Sequence, residues 1–170
     1  MTGTDDDTNR NGDAFQSFGW KAGGTASANT DGDIATDVSV NTASGFSIIT
    51  YSGQSSAGTI GHGLGVEPHM VWIKNLSSST SWHCYWKPLG NQGLNWLDST
   101  AAASTSSSTW NSTTPTSSVI SLNGGGSYTG TNDSGSDYVA YAFAPIQGFS
   151  AIGHMKGNGE NDGPFIHLGF

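Results

Sequence analysis

Positive charge is scarce in this sequence, and its scarcity excludes the partners that positive charge attracts. Five lysine and arginine residues stand against thirteen acidic ones, which gives the 170-residue chain a formal net charge of −8. The basic residues are scattered singly along the chain: Arg10, Lys21, Lys74, Lys87 and Lys156. Because binding to nucleic acids and docking on anionic lipids both need clustered basic side chains, we expect neither a nucleic-acid partner nor a membrane partner.

Cysteine and long apolar runs are equally scarce. Cys84 is the single cysteine, so no disulfide can form within the chain. No apolar run approaches the roughly 18 residues of a membrane-spanning helix. The amino end lacks the basic start and the apolar centre of a signal peptide. We therefore expect no membrane insertion and no signal peptide.

Helix-forming patterns are missing too, whereas aromatic and turn residues are plentiful. Leucine occurs seven times and glutamate twice, and no stretch keeps apolar residues at helical spacing between Gly or Pro breaks. Gly, Ser and Thr make up 68 of the 170 residues, as in a flexible linker. Six Trp, seven Phe and five Tyr, however, bury enough area to hold a fold. The composition indicates a folded all-β chain.

Short β-rich segments bounded by Gly, Asn, Asp or Ser recur along the chain and predict about nine to eleven strands, with little or no helix. They are residues 15–20, 34–40, 45–51, 70–74, 82–87, 94–98, 118–122, 138–143 and 149–155. Strands at this spacing, with turn signals between them, are typical of an antiparallel β-sandwich of the jelly-roll kind or of a barrel.

The segment 82–87 supplies the first candidate ligand-binding residues. Its side chains alternate between two sides of a strand, with Trp82, Cys84 and Trp86 on one side and His83, Tyr85 and Lys87 on the other. We expect the first set to lie in the core and the second to face solvent. An outward aromatic ring with polar neighbours suits a sugar, so His83, Tyr85 and Lys87 are candidate ligand-binding residues.

Trp110, next to Asn111, is the other candidate platform for a sugar. It lies in the Ser/Thr-rich stretch 99–118, which we interpret as an exposed loop. The alternative is that Trp110 packs beneath this loop as a small satellite of the core.

The chain also repeats parts of itself. Residues 12–20 resemble residues 135–143, because each is an acidic, Gly-rich turn followed by spaced aromatic residues. Residues 45–49 and 148–152 share the pattern Gly-Phe-Ser-x-Ile. Two further resemblances follow, of 51–53 with 155–157 and of 64–66 with 168–170.

These repeats predict three parts. Residues 1–44 carry the last strand of a preceding repeat and a linker or insertion, residues 45–144 form a complete sandwich repeat, and residues 145–170 carry the opening strands of a following repeat. Unpaired end strands leave open sheet edges, which pair with other chains, so subunits would complete one another head to tail. The alternative is that both end segments pair back within one sandwich.

Acidic turns raise the question of a metal. Asp7, Asn9 and Asn11 lead into Gly12 like the start of a calcium loop, but Phe18 stands where that loop needs a bidentate acid. Turns favour such residues for backbone reasons alone. We therefore predict no cofactor and no metal, with calcium at Asp7, Asn9 and Asn11 as the alternative.

Signatures of catalysis are weak. A glycosidase needs two positioned carboxylates, yet Glu67 and Glu160 both fall in turn segments, and no Gly-x-Ser-x-Gly elbow occurs. We predict no catalytic residue and expect a protein that is not an enzyme.

Eight motifs occur in a specific order over residues 12–170. They are residues 18–25 (FGWKAGGT), 29–32 (NTDG), 45–51 (GFSIITY), 61–68 (GHGLGVEP), 110–111 (WN), 115–119 (PTSSV), 138–144 (YVAYAFA) and 157–170. In this order they resemble a repeated β-rich domain of unknown function from large virion proteins of marine tailed bacteriophages, often labelled tail fibre, concanavalin-like or SPRY-like. The resemblance implies a sandwich fold and a place on the exterior of a phage particle, and it carries over no catalytic residue.

Together these observations lead us to expect a virion structural protein. It would be a component of a fibre, spike or decoration that associates with itself or with neighbouring virion proteins and presents exposed loops. The alternative is a lectin-like module that binds a glycan on the host surface. A third expectation is a fragment of a polysaccharide depolymerase.

Overall fold

The computed structural model describes residues 12–17, 19–124, 130–167 and 169. Within them it contains ten β-strands and one 3-10 turn at Lys87–Leu89. The strands are β1 (Ser27–Asn29), β2 (Thr36–Asn41), β3 (Phe46–Ser52), β4 (Gly58–Gly61), β5 (Met70–Asn75), β6 (His83–Trp86), β7 (Gly93–Trp96), β8 (Ser104–Thr105), β9 (Val119–Leu122) and β10 (Asp137–Phe143). The prediction of an all-β fold with about nine to eleven strands is confirmed.

Eight strands form one large antiparallel sheet in the order β1-β2-β3-β10-β5-β6-β7-β8, and β4 and β9 form a small two-stranded sheet. Although β10 comes last along the described chain, it lies at the centre of the large sheet, between β3 and β5. It pairs with β3 along its whole length, from Asp137 opposite Ser52 to Phe143 opposite Phe46. The sandwich is therefore built around a central pair of strands that are far apart in sequence.

The core lies between the two sheets. Ile49 and Ala140 on the large sheet belong to the same buried cluster as Ile60 and Ile120 on the small sheet and Trp110 from the loop between β8 and β9. Because alternate residues of a strand point to opposite sides, these residues define an inner face of the large sheet. The intervening residues form the outer face, which points away from the small sheet.

Two of the predicted strands are wrong. The structure shows no strand at residues 15–17 and 19–20, and none at residues 149–155. Phe18 lies outside the described residues. An extended segment becomes a strand only when a neighbouring backbone completes its ladder of hydrogen bonds. Among the described residues, the C-terminal segment has only an isolated bridge between Ile146 and Ser150.

Three of the observed strands were not expected from the sequence. These are β1, β4 and β8, which have the sequences Ser-Ala-Asn, Gly-Thr-Ile-Gly and Ser-Thr. They are only two to four residues long and contain no aromatic residue, so they show little of the pattern that predicts strands. Pairing with a better strand, such as that of β4 with β9, holds them in place.

The predicted part boundary at residues 44 and 45 falls within the turn that joins β2 to β3. The backbone N–H of Gly45 donates to the carbonyl of Thr42, and β2 and β3 pair from Thr36 opposite Tyr51 to Asn41 opposite Phe46. Strands from both sides of this boundary thus form one sheet. The division of the chain into repeats remains a prediction.

Candidate interaction surface

The outer face of the large sheet carries aromatic and other apolar side chains from four neighbouring strands. Register and alternation place there Phe46 and Ile48 of β3, Val139, Tyr141 and Phe143 of β10, Met70 and Trp72 of β5, and Cys84 and Trp86 of β6, with Trp82 just before β6. Most of these side chains are half-buried, unlike those of the inner face. An apolar surface of this breadth is unusual on a free sheet and marks a candidate interaction surface.

The rings of the outer face pack against one another. Phe46 and Tyr141 have ring centroids 6.2 Å apart and planes within 2° of parallel, and Trp82 lies 6.0 Å beyond Tyr141 at 27°. Beside this row, the ring of Phe143 lies 4.9 Å from Trp72 and 5.0 Å from Phe46. The side chains therefore form one continuous aromatic cluster that spans β3 to β6.

The N-terminal segment covers one end of this cluster. Trp20 contacts Phe143 edge-on at 5.6 Å and Phe46 at 6.3 Å. The side-chain amide of Asn41 donates to the carbonyl of Lys21, which ties this segment to β2. At Gly23 a Cβ would lie 1.9 Å from the carbonyl oxygen of Val40, so only glycine permits this close approach.

The C-terminal segment meets the N-terminal one at the same end. A cavity of about 200 Å³ is lined there by Trp20, Met70, Phe143, Phe149 and Ile152. Trp20 and residues 149–152 thus lie together at one end of the outer face.

The opposite end of the outer face is polar. A groove of about 390 Å³ is lined there by Asp37, Thr50, Ser52 and Asp137, with Leu76 exposed at its side. The Ser52 hydroxyl donates to Asp137 Oδ1 at 2.7 Å. The outer face therefore divides into an aromatic region and an acidic, hydroxyl-rich groove.

The orientation predicted for the side chains of residues 82–86 is wrong, whereas Lys87 is exposed as expected. His83 and Tyr85 are buried on the inner face, opposite Ile73 and Val71 of β5, whereas Trp82 and Trp86 are half-buried on the outer face. The ring of Tyr85 meets Trp110 edge to face at 5.7 Å. Alternation cannot identify the core side here, because both sides of the strand carry large apolar residues.

The predicted sugar platforms are therefore enclosed. Trp110 is fully buried in the main core, not in a satellite, and its Nε1–H donates to the carbonyl of Gly93 at 2.9 Å. Burial and, to a smaller extent, the nearby Glu67 carboxylate together raise the pKa of the Tyr85 hydroxyl to about 12. The rings of Tyr85 and Trp110 have no exposed face on which a sugar could stack.

Lys87, the remaining candidate, lies beyond the end of β6 in the 3-10 turn. Its ammonium group donates to Glu67 Oε2 at 2.8 Å and lies 3.2 Å from His69 Nε2. Partial burial and the neighbouring Lys87 charge lower the pKa of His69. The three side chains form a polar cluster beside the 3-10 turn.

Asp7, Asn9 and Asn11, the calcium candidates, lie outside the described residues. In the part of the chain that the structure describes, no group of three or more His, Cys, Asp or Glu side chains is placed to hold a metal ion. Cys84, on the outer face, is buried, and burial raises the pKa of its thiol to about 12.

Sequence reasoning missed the outer face, although it identified the strands that form it. The signal was present in β10, where Tyr138 occupies one side of the strand and Tyr141 and Phe143 the other. Large aromatic residues on both sides of a central strand indicate that both faces of the sheet bury apolar area.

No described helix is long and apolar enough to cross a membrane. Comparison with curated proteins gives no match, and comparison with solved structures gives none either. Comparison with protein families gives a match over residues 1–170, and the chain therefore belongs to the family described as Domain of unknown function (DUF7483).

Proposed function

We propose that this chain is a non-catalytic structural module of a phage particle, which builds a fibre, spike or decoration through contacts made by the outer face of its large sheet. The observation that carries the proposal is the aromatic cluster on that face. A sheet face with large apolar side chains from four strands gains free energy when another layer removes it from water.

Two features support assembly as the role of this face. Among the described strand residues of its aromatic region, the one charged side chain is Lys74 of β5, at the margin, in a chain whose net charge is −8. Depletion of charge at the centre and enrichment in Trp, Tyr and Phe are the features that distinguish interfaces from the remaining surface. The proposed location on a virion is supported by the resemblance of the motif order to phage structural proteins.

The test is the solution mass of the 170-residue chain by light scattering, with electron micrographs of the same sample. We expect a multimer or a filament. Replacing Ile48, half-buried in the aromatic region, with Lys should reduce the mass to 17.5 kDa. The matched control is Thr50→Lys, which adds the same charge two residues along the same face of β3 and should leave the mass unchanged.

A native chain that remains monomeric at high concentration would contradict the assembly role. The virion location has its own test, in which an antibody against the chain is applied to intact phage particles. Labelling of the particle exterior is expected, and its absence would overturn that part of the proposal.

A second candidate function, glycan binding, is favoured by the polar groove at the other end of the outer face. Carboxylates at Asp37 and Asp137 accept hydrogen bonds from sugar hydroxyls, and the exposed Leu76 offers an apolar contact to the C–H face of a sugar. Binding on a glycan array that is lost in Asp37→Asn but kept in Asp162→Asn, an exposed residue far along the chain, would support this role. Equal binding by both variants would exclude the groove as the site.

A further inference from the structure

Asparagine is followed directly by glycine at three places in this chain, at residues 11–12, 123–124 and 158–159. The backbone nitrogen after an asparagine can attack the side-chain amide and close a five-membered ring, and a glycine there has no Cβ to obstruct the attack. Asn11 lies outside the described residues. The structure therefore compares Asn123 with Asn158, which are the same dipeptide in two different settings.

Asn158 lies in an open bend of the C-terminal segment. Asn158, Gly159 and Glu160 are all exposed, and none of them belongs to a strand. Gly159 has a φ of +78°, and a Cβ built on it would have no described atom within 4 Å. The backbone at Gly159 therefore has room for the rotation that ring closure requires.

A hydrogen bond holds the Asn158 side chain in a position that favours this attack. Asn158 Oδ1 accepts the backbone N–H of Glu160 at 3.0 Å, so the side chain folds back along the backbone past Gly159. This keeps Cγ of Asn158 beside the nitrogen that attacks it. The same N–H points at the oxygen on which negative charge develops during the attack, and a donor fixed in that place stabilises the tetrahedral intermediate.

Asn123, directly after β9, is held on several sides. It is half-buried, its backbone N–H donates to the carbonyl of Thr109, and its carbonyl accepts the side-chain amide of Asn132. At Gly124 a Cβ would lie 2.0 Å from the backbone nitrogen of Ala57, so this glycine is packed against another segment. The Gly124 N–H donates to Asn123 Oδ1 at 2.8 Å, and the proton that must leave is thus held in a bond. Ring closure at Asn123 requires this packed backbone to move.

We propose that the side-chain amide of Asn158 deamidates spontaneously, assisted by the backbone N–H of Glu160, whereas the fold protects Asn123. Hydroxide removes the proton of the Gly159 N–H, the nitrogen forms a bond to Cγ of Asn158, and the bond from Cγ to Nδ2 breaks. The departing nitrogen takes a proton from water and leaves as ammonia. A second water molecule then opens the resulting succinimide at either carbonyl, which gives aspartate or isoaspartate, and no oxidant or reductant takes part.

The reaction changes both the charge and the backbone of the C-terminal segment. It adds a carboxylate to a turn that already holds Glu160 and Asp162. Isoaspartate also inserts an extra methylene carbon into the main chain, between residues 149–152 at one end of the outer face and the exposed Phe165. The protein therefore exists in an unmodified and a modified form whose proportions change with its age. This inference does not depend on the proposed assembly function.

The test follows deamidation in the native chain during incubation in neutral buffer, by digestion with trypsin and mass spectrometry of the peptides. Trypsin cuts after Lys156, so the next peptide carries both Asn158 and Asn161, which is equally exposed but has no glycine after it. We expect Asn158 to react at least about tenfold faster than Asn123 and Asn161, because both lack the favourable placement of the reacting atoms. In urea, where the fold is lost, Asn123 should react as fast as Asn158.

Variants at exposed positions separate the parts of the proposal. Glu160→Pro removes the backbone N–H, whereas its matched control, Glu160→Ala, keeps it and removes only the carboxylate. Deamidation of Asn158 should be at least about threefold slower in Glu160→Pro than in Glu160→Ala. Asn158→Gln should stop the reaction at this position, because the longer side chain has to close a six-membered ring.

Three results would overturn the inference. The first is an equal rate at Asn123 and Asn158 in the native chain, which would mean that the fold does not distinguish them. The second is aspartate without isoaspartate at Asn158, which would indicate direct hydrolysis of the side chain. The third is an equal rate in Glu160→Pro and Glu160→Ala.

Discussion

The inner and outer faces of the large sheet are built from the same strands and from similar residues, yet they differ in burial. The inner face is sealed by the small sheet and the loop that carries Trp110, and its side chains are almost fully enclosed. The outer face carries as many large rings, and among the described residues Trp20 packs on one end of it, while most of its side chains remain half-buried. The contrast teaches that the layer packed on a sheet, and not the residue types on it, decides which face is the core.

Two tryptophans make this contrast measurable. Trp110 on the inner side is fully buried, and its Nε1–H donates to the carbonyl of Gly93. Trp72 on the outer face has a buried Nε1–H with no hydrogen-bond partner among the described residues. The free energy of unfolding should therefore fall far more when the indole of Trp110 is removed than when that of Trp72 is removed. The first substitution breaks a buried hydrogen bond, whereas the second removes a donor that has no described partner.

The largest expected effect comes from Trp110→Phe. We expect it to lower the free energy of unfolding by about 2–4 kcal/mol, because it leaves a cavity and deprives the Gly93 carbonyl of its donor. Trp72→Phe should lower it by about 1 kcal/mol or less. Urea denaturation followed by circular dichroism measures both. Equal losses of unfolding free energy in the two variants would contradict the expected difference between the two faces.

The second largest effect is expected at one of two tyrosines on β10 whose side chains point to opposite faces of the sheet. On the inner side, the hydroxyl oxygen of Tyr138 accepts hydrogen bonds from the side-chain amide of Asn75 at 3.0 Å and from the backbone N–H of Asp133 at 2.9 Å. Tyr138→Phe leaves the buried Asn75 amide and the half-buried Asp133 N–H without this acceptor and should lower the free energy of unfolding by about 1–3 kcal/mol. Thermal or urea unfolding provides the measurement.

The control is Tyr141→Phe, on the outer face of the same strand, where the half-buried ring packs between Phe46 and Trp82. The ring contacts survive this substitution, so stability should change by less than about 0.5 kcal/mol. A loss as large as that of Tyr138→Phe would mean that the outer-face hydroxyl is also part of a buried network.

The sequence was sufficient to predict the strands whose neighbours also favour strands. The segments 45–51, 70–74 and 138–143 were identified within a few residues, because β-branched and aromatic side chains alternate in them and turn residues bound them. The sequence was not sufficient for residues 149–155, whose first residues repeat the start of β3 but which have no strand beside them. The local sequence pattern favours a strand, and pairing with a neighbouring backbone determines whether the strand forms.

The candidate site was harder to predict than the fold. The alternation in residues 82–87 was recognised correctly, but the choice between its two sides depended on where the second layer packs. That layer includes β4, a Gly-Thr-Ile-Gly segment with almost no strand signal, and Trp110 from a Ser/Thr-rich loop. The information that fixes the core side thus resides in segments whose own sequences say little about structure.

The smallest expected effect is the loss of stability that two buried histidines of the inner side cause when the pH is lowered. Burial lowers the pKa of His62 and of His83 below the ordinary value, although backbone carbonyls at Thr116 and Ser81 oppose the shift. As the pH falls below about 6.5, the unfolded chain binds more protons at these rings than the folded chain does. The stability that these groups contribute is therefore complete above that pH and falls as the pH decreases, until the rings of the folded chain are protonated as well.

Urea unfolding between pH 7.5 and 5.0 tests this, with His62→Asn as the variant. His62 Nδ1 accepts the backbone N–H of Leu64 and must stay unprotonated to do so, which is why protonation breaks the folded arrangement. The variant should be less stable than the native chain at pH 7.5 but lose less stability on acidification, so that the two curves converge. Parallel curves would mean that His62 takes up its proton without disturbing the core, and that the inner side is more accessible to water than its burial implies.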